Sequence, residues 1–282
     1  MVKQISDIMQ IVPQYEGLLF DAYGVLVDDT ALIPGADALW RRLAEAEVPC
    51  WIVTNGSSRT LLETQASYRK KGLEVRLDQI INSASLLAPY FAEEGLRGKS
   101  VAVLGTASSA SYVAEAGGRL VAAGQGDFEV LVVANQSEYP FLETLEAVLT
   151  RILARLDRGL ETRLILTNPD LIYPKDKGSF GLTAGSVALL LEKALEARVG
   201  SAAAPRFEKL GKPFPRIFAE AVRRAGSRRL LMVGDQLETD IRGARDFGLD
   251  SLLVGTGLVT PAALAELKLD PEPSYILTGW TS

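Results

Sequence analysis

The chain has 282 residues, is 48% hydrophobic and 23% charged, and carries a formal net charge of −5. This composition is ordinary for a globular protein of one large or two modest domains. There is no basic tract, so a nucleic-acid partner has no electrostatic support. No apolar run is long enough to span a bilayer, and residues 1–12 lack the continuous apolar region of a signal peptide. We therefore expect a cytoplasmic protein without a membrane partner.

The most restrictive count is that of histidine, which is zero. This excludes Ser-His-Asp and Cys-His catalysis, His-ligated zinc and a His general base. The one cysteine, Cys50, excludes an internal disulfide, and its place at the start of a predicted strand favours a buried core residue over a nucleophile. Any chemistry must use carboxylates, Lys, Tyr, hydroxyls, backbone amides or a hard metal ion.

The first predicted elements lead to an aspartate. Residues 1–16 suggest a short helix and a connection, and residues 18–20 form a short buried strand that ends at Asp21. Gly24 follows and lets the backbone turn sharply or approach a ligand. Ligands bind outside the carboxyl ends of the strands in open α/β sheets, so Asp21 is a candidate for chemistry. An Asp that only caps a turn is the alternative.

A polar loop follows the second predicted strand, residues 51–53, which comes after a predicted helix at 36–46. The loop contains Thr54, Asn55 and Gly56 and leads into a predicted helix at 61–71. It offers a hydroxyl, an amide and backbone N–H groups at a helix N-terminus, where anions bind well. N-capping by the serines that follow would explain the same pattern, and the loop alone does not decide between the two.

The middle of the chain alternates between strands and helices, which is typical of a separate α/β unit. The predicted strands are 100–104, 128–134 and 164–166, and the predicted helices are 86–94, 109–116, 139–155 and 182–197. The turn after the first of these strands is not a dinucleotide-binding fingerprint, because the later glycines are absent.

A small, polar stretch at 200–205 reads as a linker, and it is followed by Lys212 in a Gly-Lys-Pro sequence before a predicted helix at 216–224. A Lys between Gly and Pro lies on a constrained backbone, although a solvated surface Lys is the ordinary alternative. The strand at 230–233 then leads to Asp235 and Asp240. The remaining predicted elements are a helix at 241–247, a strand at 252–254 and the turn Gly255-Thr256-Gly257.

These polar residues all lie at strand ends or helix starts, so we expect them to form one site. Several carboxylates converging with a Lys suit a hard cation with oxygen ligands, best matched by Mg²⁺. Mg²⁺ and a Lys together neutralise a phosphoryl group, which a carboxylate can attack to give an aspartyl-phosphate. The residues concerned are Asp21, Thr54, Asn55, Lys212, Asp235 and Asp240.

Four motifs stand in order along the chain: Asp-x-x-Gly at 21–24, Thr-Asn at 54–55, Lys212 before a helix, and Gly-Asp-x-x-x-x-Asp at 234–240. In this the chain resembles the haloacid dehalogenase (HAD) superfamily. It is most similar to subclass IIA, the 4-nitrophenylphosphatase-like and N-acetylglucosamine-phosphate-phosphatase-like sugar phosphatases. The matching segments of that branch are Thr-Asn-x-Ser-Ser-Arg at 54–59, Thr-Asn-Pro-Asp at 167–170 and Gly-Lys-Pro at 211–213.

The resemblance implies an α/β fold with a Rossmann-like parallel-sheet core at 1–83 and 200–282 and an inserted α/β cap domain at 84–199. It implies a Mg²⁺-dependent phosphatase that acts on a small phosphorylated substrate. The implied catalytic residues are Asp21, Tyr23 and Lys212. The implied phosphate-binding residues are Thr54, Asn55, Gly56 and Lys212. The implied metal-binding groups are Asp21, the Tyr23 carbonyl and Asp235, with Asp240 acting through water or as a partner of the ligands.

One position departs from the family pattern. The phosphatases carry a general acid/base Asp two residues after the nucleophile, where this chain has Tyr23. The unperturbed pKa of Tyr is about 10, so Tyr23 is a poor acid/base, and losing such a group typically slows a reaction about 10²–10⁴-fold. Asp-x-Tyr-Gly also resembles metal-independent 2-haloacid dehalogenases. Three functions stay open: a slow phosphatase, a non-catalytic phospholigand-binding protein and a dehalogenase.

The resemblance places substrate specificity on cap loops such as residues 168–181, whose Tyr173, Lys175, Asp176 and Lys177 are polar but identify no substrate. The sequence also leaves a homo-oligomer open.

Overall fold

The computed structural model describes residues 2–174, 179–257 and 269–280. The described residues form two compact units. The first unit takes its residues from Met1–Thr54, Leu61–Asn82 and Lys212–Ser282, and the second from Asn55–Thr60 and Ser83–Gly211. Lys175, Asp176 and Lys177 of the expected specificity loop lie outside the described residues.

The strands are β1 (Lys3–Gln4), β2 (Gly17–Phe20), β3 (Cys50–Thr54), β4 (Ile80–Asn82), β5 (Ser100–Leu104), β6 (Arg119–Val121), β7 (Val130–Val133), β8 (Arg163–Leu166), β9 (Ile172–Pro174), β10 (Phe180–Leu182), β11 (Phe207–Lys209), β12 (Leu230–Gly234), β13 (Asp250–Val254) and β14 (Tyr275–Leu277). The α-helices are α1 (Ala36–Glu45), α2 (Leu61–Lys70), α3 (Leu87–Glu93), α4 (Ala107–Glu115), α5 (Phe141–Asp157), α6 (Ala184–Val199), α7 (Pro215–Ala225) and α8 (Arg242–Phe247). Short 3₁₀ turns occur at Ile8–Gln10, Val12–Gln14, Leu77–Gln79 and Ser83–Leu86, and a π-helical turn at Leu237–Ile241.

The sheet of the first unit is parallel, with the strand order β1-β14-β13-β12-β2-β3-β4. β2 is buried along its whole length, as is usual for a parallel strand covered on both faces. Phe20 of β2 lies level with Val233 of β12 and Ile52 of β3, so these three strands end at the same edge of the sheet. One face packs against α1, whose Leu39 and Leu43 belong to the same apolar core.

The second unit has its own parallel sheet, in the order β11-β8-β7-β5-β6. One face of it packs against α5 and α6, whose buried apolar residues share a core with β5, β7 and β8. A two-stranded antiparallel hairpin, β9 with β10, precedes α6. The two parallel sheets agree with the predicted fold class, an α/β protein with a Rossmann-like core.

The limits of the two units differ from the expected domain boundaries at residues 200–211 and 55–60, and by one residue at Ser83, which belongs to the second unit. Residues 200–211 were expected in the core, but β11 pairs with β8 and therefore extends the sheet of the second unit. Residues 55–60 also belong to the second unit, because the hydroxyl of Ser57 donates to the carbonyl of Ala134 and that of Thr106 to Ser58.

The N-terminal segment also differs from its prediction. The expected short helix is absent from residues 2–16, where β1 pairs with β14 and two 3₁₀ turns follow. Ile8 and Ile11 are buried at a spacing of three, which matches the three-residue period of a 3₁₀ turn. Pro13 lacks a backbone N–H and so suits the start of the second turn.

Each strand that the sequence pattern predicted is present, and the observed helices start or end within a few residues of their predicted limits. The pattern missed β1, β4, β6, β9, β10, β11 and β14, which are two or three residues long. Cys50 is buried at the start of β3, as predicted, and burial raises the pKa of its thiol to about 12. In the described part of the chain, none of the helices has the length and apolar character needed to cross a membrane.

Candidate active site

Two aspartates follow neighbouring strands of the first unit. Asp21 comes directly after β2 and Asp235 directly after β12, and the two strands pair in parallel. The backbone N–H of Asp21 donates to the carbonyl of Val233 at 2.8 Å, which continues the ladder to the carboxyl end of the sheet. Thr54 is the last residue of β3, on the other side of β2, and it is buried. Strand register therefore brings these three residues to one edge.

Lys212 reaches the same edge from the start of the segment that returns to the first unit. Its ammonium nitrogen lies 2.6 Å from Oδ1 of Asp21 and 2.7 Å from Oδ1 of Asp240. Lys212 is only 2% exposed, so the alternative interpretation from the sequence, that it is a solvated surface residue, is wrong. A Lys is rarely buried unless paired, and here it is paired with two carboxylates.

Asp240 lies on the π-helical turn Leu237–Ile241, directly before α8. The N–H of Ile241 donates to the carbonyl of Gln236 at 3.2 Å, which is the wide spacing of a π turn. The Oδ2 atom of Asp240 accepts from the N–H of Gln236, also at 3.2 Å. This local bond fixes the carboxylate while its Oδ1 faces Lys212.

Among the described residues, three aspartates lie close together at this site. Asp21, Asp235 and Asp240 are all buried, and each offers an oxygen within 4.8 Å of the others. The pKa of Asp240 is raised, first because burial disfavours the charged form and then because Asp21 is a like charge, although Lys212 opposes both effects. Burial alone would lower the pKa of Lys212, but Asp21 and Asp240 outweigh it and leave that pKa raised.

The residues fit a divalent cation. Three carboxylates against one ammonium leave two negative charges in excess when all are ionised, and buried charge is stable only when it is balanced. Carboxylate and carbonyl oxygens, with no His or thiolate among them, are the ligands of Mg²⁺. The backbones of Gly24 and Gly257 both abut the Asp235 carboxylate: a Cβ at Gly24 would lie 2.5 Å from its Oδ2, and one at Gly257 would overlap that atom.

Tyr23 lies in the loop after Asp21 and projects a side chain that is 37% exposed. The ammonium of Lys71, directly after α2, lies 5.1 Å from the centre of its ring, within the range of a cation–π contact. The same ammonium donates to the carbonyl of Asp28 in the loop. The position of the family's acid/base Asp is thus taken by an aromatic ring that faces a cation.

The expected phosphate-binding loop divides between the two units. Thr54 belongs to the first unit, whereas Asn55 and Gly56 belong to the second. Within the second unit, the side-chain amide of Asn55 donates to Oδ1 of Asp170 at 2.8 Å. Ser57, offered above as an N-cap, instead donates its hydroxyl to the carbonyl of Ala134 at 2.6 Å. The phosphate-binding role of Asn55 and Gly56 stays a prediction.

Two residues that contact the loop after Asp21 were given no role from the sequence. The hydroxyl of Thr256 donates to the carbonyl of Gly24 at 2.6 Å, and the indole N–H of Trp280 donates to the carbonyl of Val25 at 2.7 Å. The sequence did contain one signal for Thr256, namely its place in a Gly-Thr-Gly turn directly after a core strand. No comparable signal marks Trp280, which lies far along the chain.

Comparison with known sequences and structures identifies the class of this protein. A family model described as haloacid dehalogenase-like hydrolase matches residues 18–119, and a second, HAD-hydrolase-like model matches residues 209–280. A crystal structure described as a possible sugar phosphatase of the HAD superfamily, from Cytophaga hutchinsonii, is 30% identical. The two superpose with a TM-score of 0.84 over 99% of both chains. The chain belongs to the haloacid dehalogenase superfamily, as the resemblance predicted.

Two further relatives of this chain are phosphatases by name. Dihydroxyacetone phosphatase of Corynebacterium glutamicum is 29% identical over 255 residues, which cover 90% of this chain and 86% of the relative. Glycerol phosphate phosphatase of Mycobacterium tuberculosis, solved in complex with magnesium, is 27% identical with a TM-score of 0.79. That match covers 98% of this chain and 77% of the relative. The relatives match subclass IIA of the superfamily.

Proposed function

We propose that this protein is a Mg²⁺-dependent phosphatase that hydrolyses a small phosphorylated metabolite through an aspartyl-phosphate on Asp21. We also propose that Tyr23, in place of an acid/base carboxylate, makes it slow on esters with poor leaving groups. The assignment to phosphoric monoester hydrolases is supported by the relatives, which are phosphatases by name.

The observation that carries the proposal is the buried cluster of Asp21, Asp235 and Asp240, together with the Lys212 ammonium that contacts Asp21 and Asp240. A purely structural ion pair would need one carboxylate for one ammonium. Carboxylates buried close together repel one another, and a bound divalent cation would offset that repulsion, so the cluster supports a metal-dependent function. Bound Mg²⁺ would supply positive charge that offsets both these carboxylates and the phosphoryl oxygens of a substrate.

The metal would be held by Asp21, the carbonyl of Tyr23 and Asp235. Asp240 would act through water or through its hydrogen bonds, since its Oδ1 already faces Lys212. Lys212 holds the carboxylate of Asp21 in one orientation and adds a positive charge beside it. The hydroxyl of Thr54, on the neighbouring strand, would donate a hydrogen bond to the phosphoryl group. The backbone N–H groups around Asn55 and Gly56 would donate as well.

The reaction would use the Asp21 carboxylate as nucleophile. An oxygen of Asp21 bonds to phosphorus while the bond to the ester oxygen breaks, and that oxygen leaves as an alkoxide or takes up a proton. Water then attacks the phosphorus, releasing phosphate and restoring the carboxylate. Both steps benefit from a group that donates and then accepts a proton, and a phenol is less suited to this than the carboxylic acid that the family's phosphatases carry at that position.

The substrate class rests on the named relatives and not on a feature of the described residues. Those relatives act on dihydroxyacetone phosphate, sugar phosphates and glycerol phosphate by name. We therefore propose a three-carbon or sugar phosphate as the substrate of this chain.

Tyr23 is also the observation that favours the alternatives. A protein that kept the phosphate site but lost turnover would bind phosphorylated ligands without hydrolysing them. A metal-independent 2-haloacid dehalogenase would use Asp21 to attack carbon and would release halide. The cluster of carboxylates around Lys212 favours the phosphatase over the dehalogenase, because the dehalogenase needs no metal.

The test is a panel of esters assayed for phosphate release, each with Mg²⁺ and with EDTA. The panel contains dihydroxyacetone phosphate, glycerol 3-phosphate, several sugar phosphates and 4-nitrophenyl phosphate. We expect release that requires Mg²⁺ and is fastest for 4-nitrophenyl phosphate, whose leaving group needs no proton. Asp21→Asn, purified identically, controls for contaminating phosphatases.

Two results would overturn the proposal. Mg²⁺ and phosphate binding by calorimetry, without turnover of any ester, would identify a ligand-binding protein. Halide release from a 2-haloacid in EDTA, without phosphatase activity, would identify a dehalogenase.

A further inference from the structure

Gly24 joins two peptide groups, and each is held by one hydrogen bond. Its N–H donates to the carbonyl of Val27 at 2.9 Å. Its carbonyl accepts from the hydroxyl of Thr256 at 2.6 Å. Gly24 has a φ of +85°, a conformation that glycine adopts without the strain imposed on other residues. The conformation of this residue is therefore set by Val27 on one side and by Thr256 on the other.

The first of these peptide groups includes the carbonyl of Tyr23, the backbone oxygen proposed to bind the metal. In a trans peptide, the C=O of one residue and the N–H of the next lie in one plane and point in opposite directions. The Gly24 N–H points to Val27, so the carbonyl of Tyr23 points away from that turn. A rotation about the backbone of Gly24 would re-aim this oxygen. Thr256 resists such a rotation by holding the next carbonyl.

The turn that carries Thr256 also abuts a second proposed ligand. A Cβ placed on Gly257 would overlap Oδ2 of Asp235 and lie 2.8 Å from the Cα of Gly24. The backbones of Gly24 and Gly257 thus close on the Asp235 carboxylate together. One side chain, Thr256, ties these two backbone segments to each other.

Thr256 is itself anchored to the sheet. It follows β13 by two residues, and the N–H of the preceding Gly255 donates to the carbonyl of Leu277 on β14 at 2.9 Å. The hydroxyl therefore projects from a fixed point and does not merely follow the loop that it contacts. Trp280 adds a second anchor by donating its indole N–H to the carbonyl of Val25.

We propose that Thr256 is a positioning residue of the metal site, which orients the Tyr23 carbonyl and confines the Asp235 carboxylate through its bond to Gly24. The proposal rests on the proposed function, since it requires that Asp21, Tyr23 and Asp235 hold Mg²⁺. Partners that orient metal ligands typically affect affinity by about 10–100-fold when removed.

The test is Thr256→Val, which keeps the shape of the side chain and removes the hydroxyl. Mg²⁺ alone is titrated into the substrate-free protein by calorimetry. We expect the Kd for Mg²⁺ to rise about 10-fold. Thr256→Ser, which restores a hydroxyl, should return the Kd to within about twofold of the wild type. At low Mg²⁺ the phosphatase activity of Thr256→Val should fall, and raising Mg²⁺ should recover it, because the defect lies in metal affinity.

Thr150→Val is the matched control. The hydroxyl of Thr150 also donates to a backbone carbonyl, that of Glu146 at 2.7 Å, on helix α5 of the second unit. It should leave the Kd for Mg²⁺ unchanged. If Thr256→Val does not fold, Thr256→Ala carries the test, because it removes the same hydroxyl without requiring space.

The outcomes separate this proposal from the proposed function. A wild-type protein that binds no Mg²⁺ overturns both. A wild type that binds Mg²⁺, loses binding in Asp235→Ala and keeps its Kd in Thr256→Val overturns only the role of Thr256. A Kd that rises equally in Thr256→Val and Thr256→Ser also overturns it, because the hydroxyl would then not be the cause.

Discussion

Both units contain a parallel sheet, but different residues follow the carboxyl ends of the strands in each. In the first, β2 and β12 are followed directly by Asp21 and Asp235. In the second, β5, β7 and β8 also end level with one another, but they are followed by Gly105, Ala134 and Thr167. Both sheets are parallel and both have apolar strands. The difference therefore lies in which residues follow the strands.

At the edge of the second sheet, residues that follow β5 and β7 form hydrogen bonds with the segment at 57–58. Ser57 donates to the carbonyl of Ala134, and the hydroxyls of Thr106 and Ser109 donate to the carbonyls of Ser58 and Ser57. These three hydroxyls and the carbonyls that accept from them are neutral, so their bonds need no balancing charge. At the first sheet, by contrast, the described residues include three clustered buried carboxylates, and the buried ammonium of Lys212 contacts two of them. The first edge thus gathers buried ionisable side chains, whereas hydroxyl-to-carbonyl hydrogen bonds link the chain at the second edge.

The largest expected effect comes from the charged edge. Asp21→Asn keeps the size of the side chain but removes the proposed nucleophile, so we expect kcat to fall on the order of 10⁵-fold for any ester. Asp28→Asn is the control in the same loop, because its Oδ1 accepts from Thr30 and Ala31 and an amide oxygen can do the same. Steady-state kinetics should show Asp28→Asn close to the wild type. Equal loss in both variants would mean that loop folding, not a nucleophile, was measured.

The next effect contrasts a buried ion pair with an exposed one. Lys212→Met leaves Asp21 and Asp240 buried without their ammonium, and we expect the free energy of unfolding to fall by about 3–5 kcal/mol. Lys99→Met breaks the exposed pair with Glu129 and should cost no more than about 1 kcal/mol. Urea unfolding in EDTA measures both. Similar losses of unfolding free energy in the two variants would contradict the claim that the buried ion pairs of Lys212 stabilise the fold more than an exposed pair does.

A smaller effect, and an increase, is expected at Tyr23. Tyr23→Asp introduces the missing carboxylate and should raise kcat about 10–100-fold on an alkyl phosphate, below the full range of acid/base catalysis. The gain should be smaller on an aryl phosphate, unless hydrolysis of the aspartyl-phosphate limits both. Tyr23→Phe keeps the ring that faces Lys71 and should change little.

The opposite result at Tyr23 would also be informative. Lower activity of Tyr23→Asp on both esters would contradict the missing-acid hypothesis and indicate that the ring has its own task, such as packing against the substrate. Asp21→Asn should be inactive with either Tyr or Asp at position 23, since the proposed nucleophile is then absent.

The smallest effect tests the neutral edge. Ser57→Ala removes the buried hydrogen bond to Ala134, and we expect a loss of about 1 kcal/mol in the free energy of unfolding. The Kd for Mg²⁺ should not change, because the bond lies in the second unit. Ser137→Ala, which alters an exposed serine of the same unit, should cost less than about 0.5 kcal/mol. A changed Mg²⁺ Kd in Ser57→Ala would show that the neutral edge also supports the metal site.

The predicted strands were found because apolar runs followed by turn residues are local signals. The short strands were missed for the same reason. β4, β11 and β14 are each three residues long, and they are defined by the strand they pair with and not by their own sequence. The difference between the expected and observed boundaries at residues 200–211 has the same origin, since β11 joins the second unit by pairing with β8.

By itself, the sequence determined the class of the protein and the identity of its charged residues, because Asp21, Lys212, Asp235 and Asp240 stand in motifs beside strand ends and helix starts. It also excluded histidine chemistry outright. Only the tertiary structure decided that Lys212 is buried between two carboxylates, that Ser57 serves the second sheet and that Thr256 holds the backbone of Gly24. The burial of a residue and its hydrogen-bond partners depend on which distant segments meet in the fold. The sequence of one segment does not show which other segment will supply the partners of its polar groups.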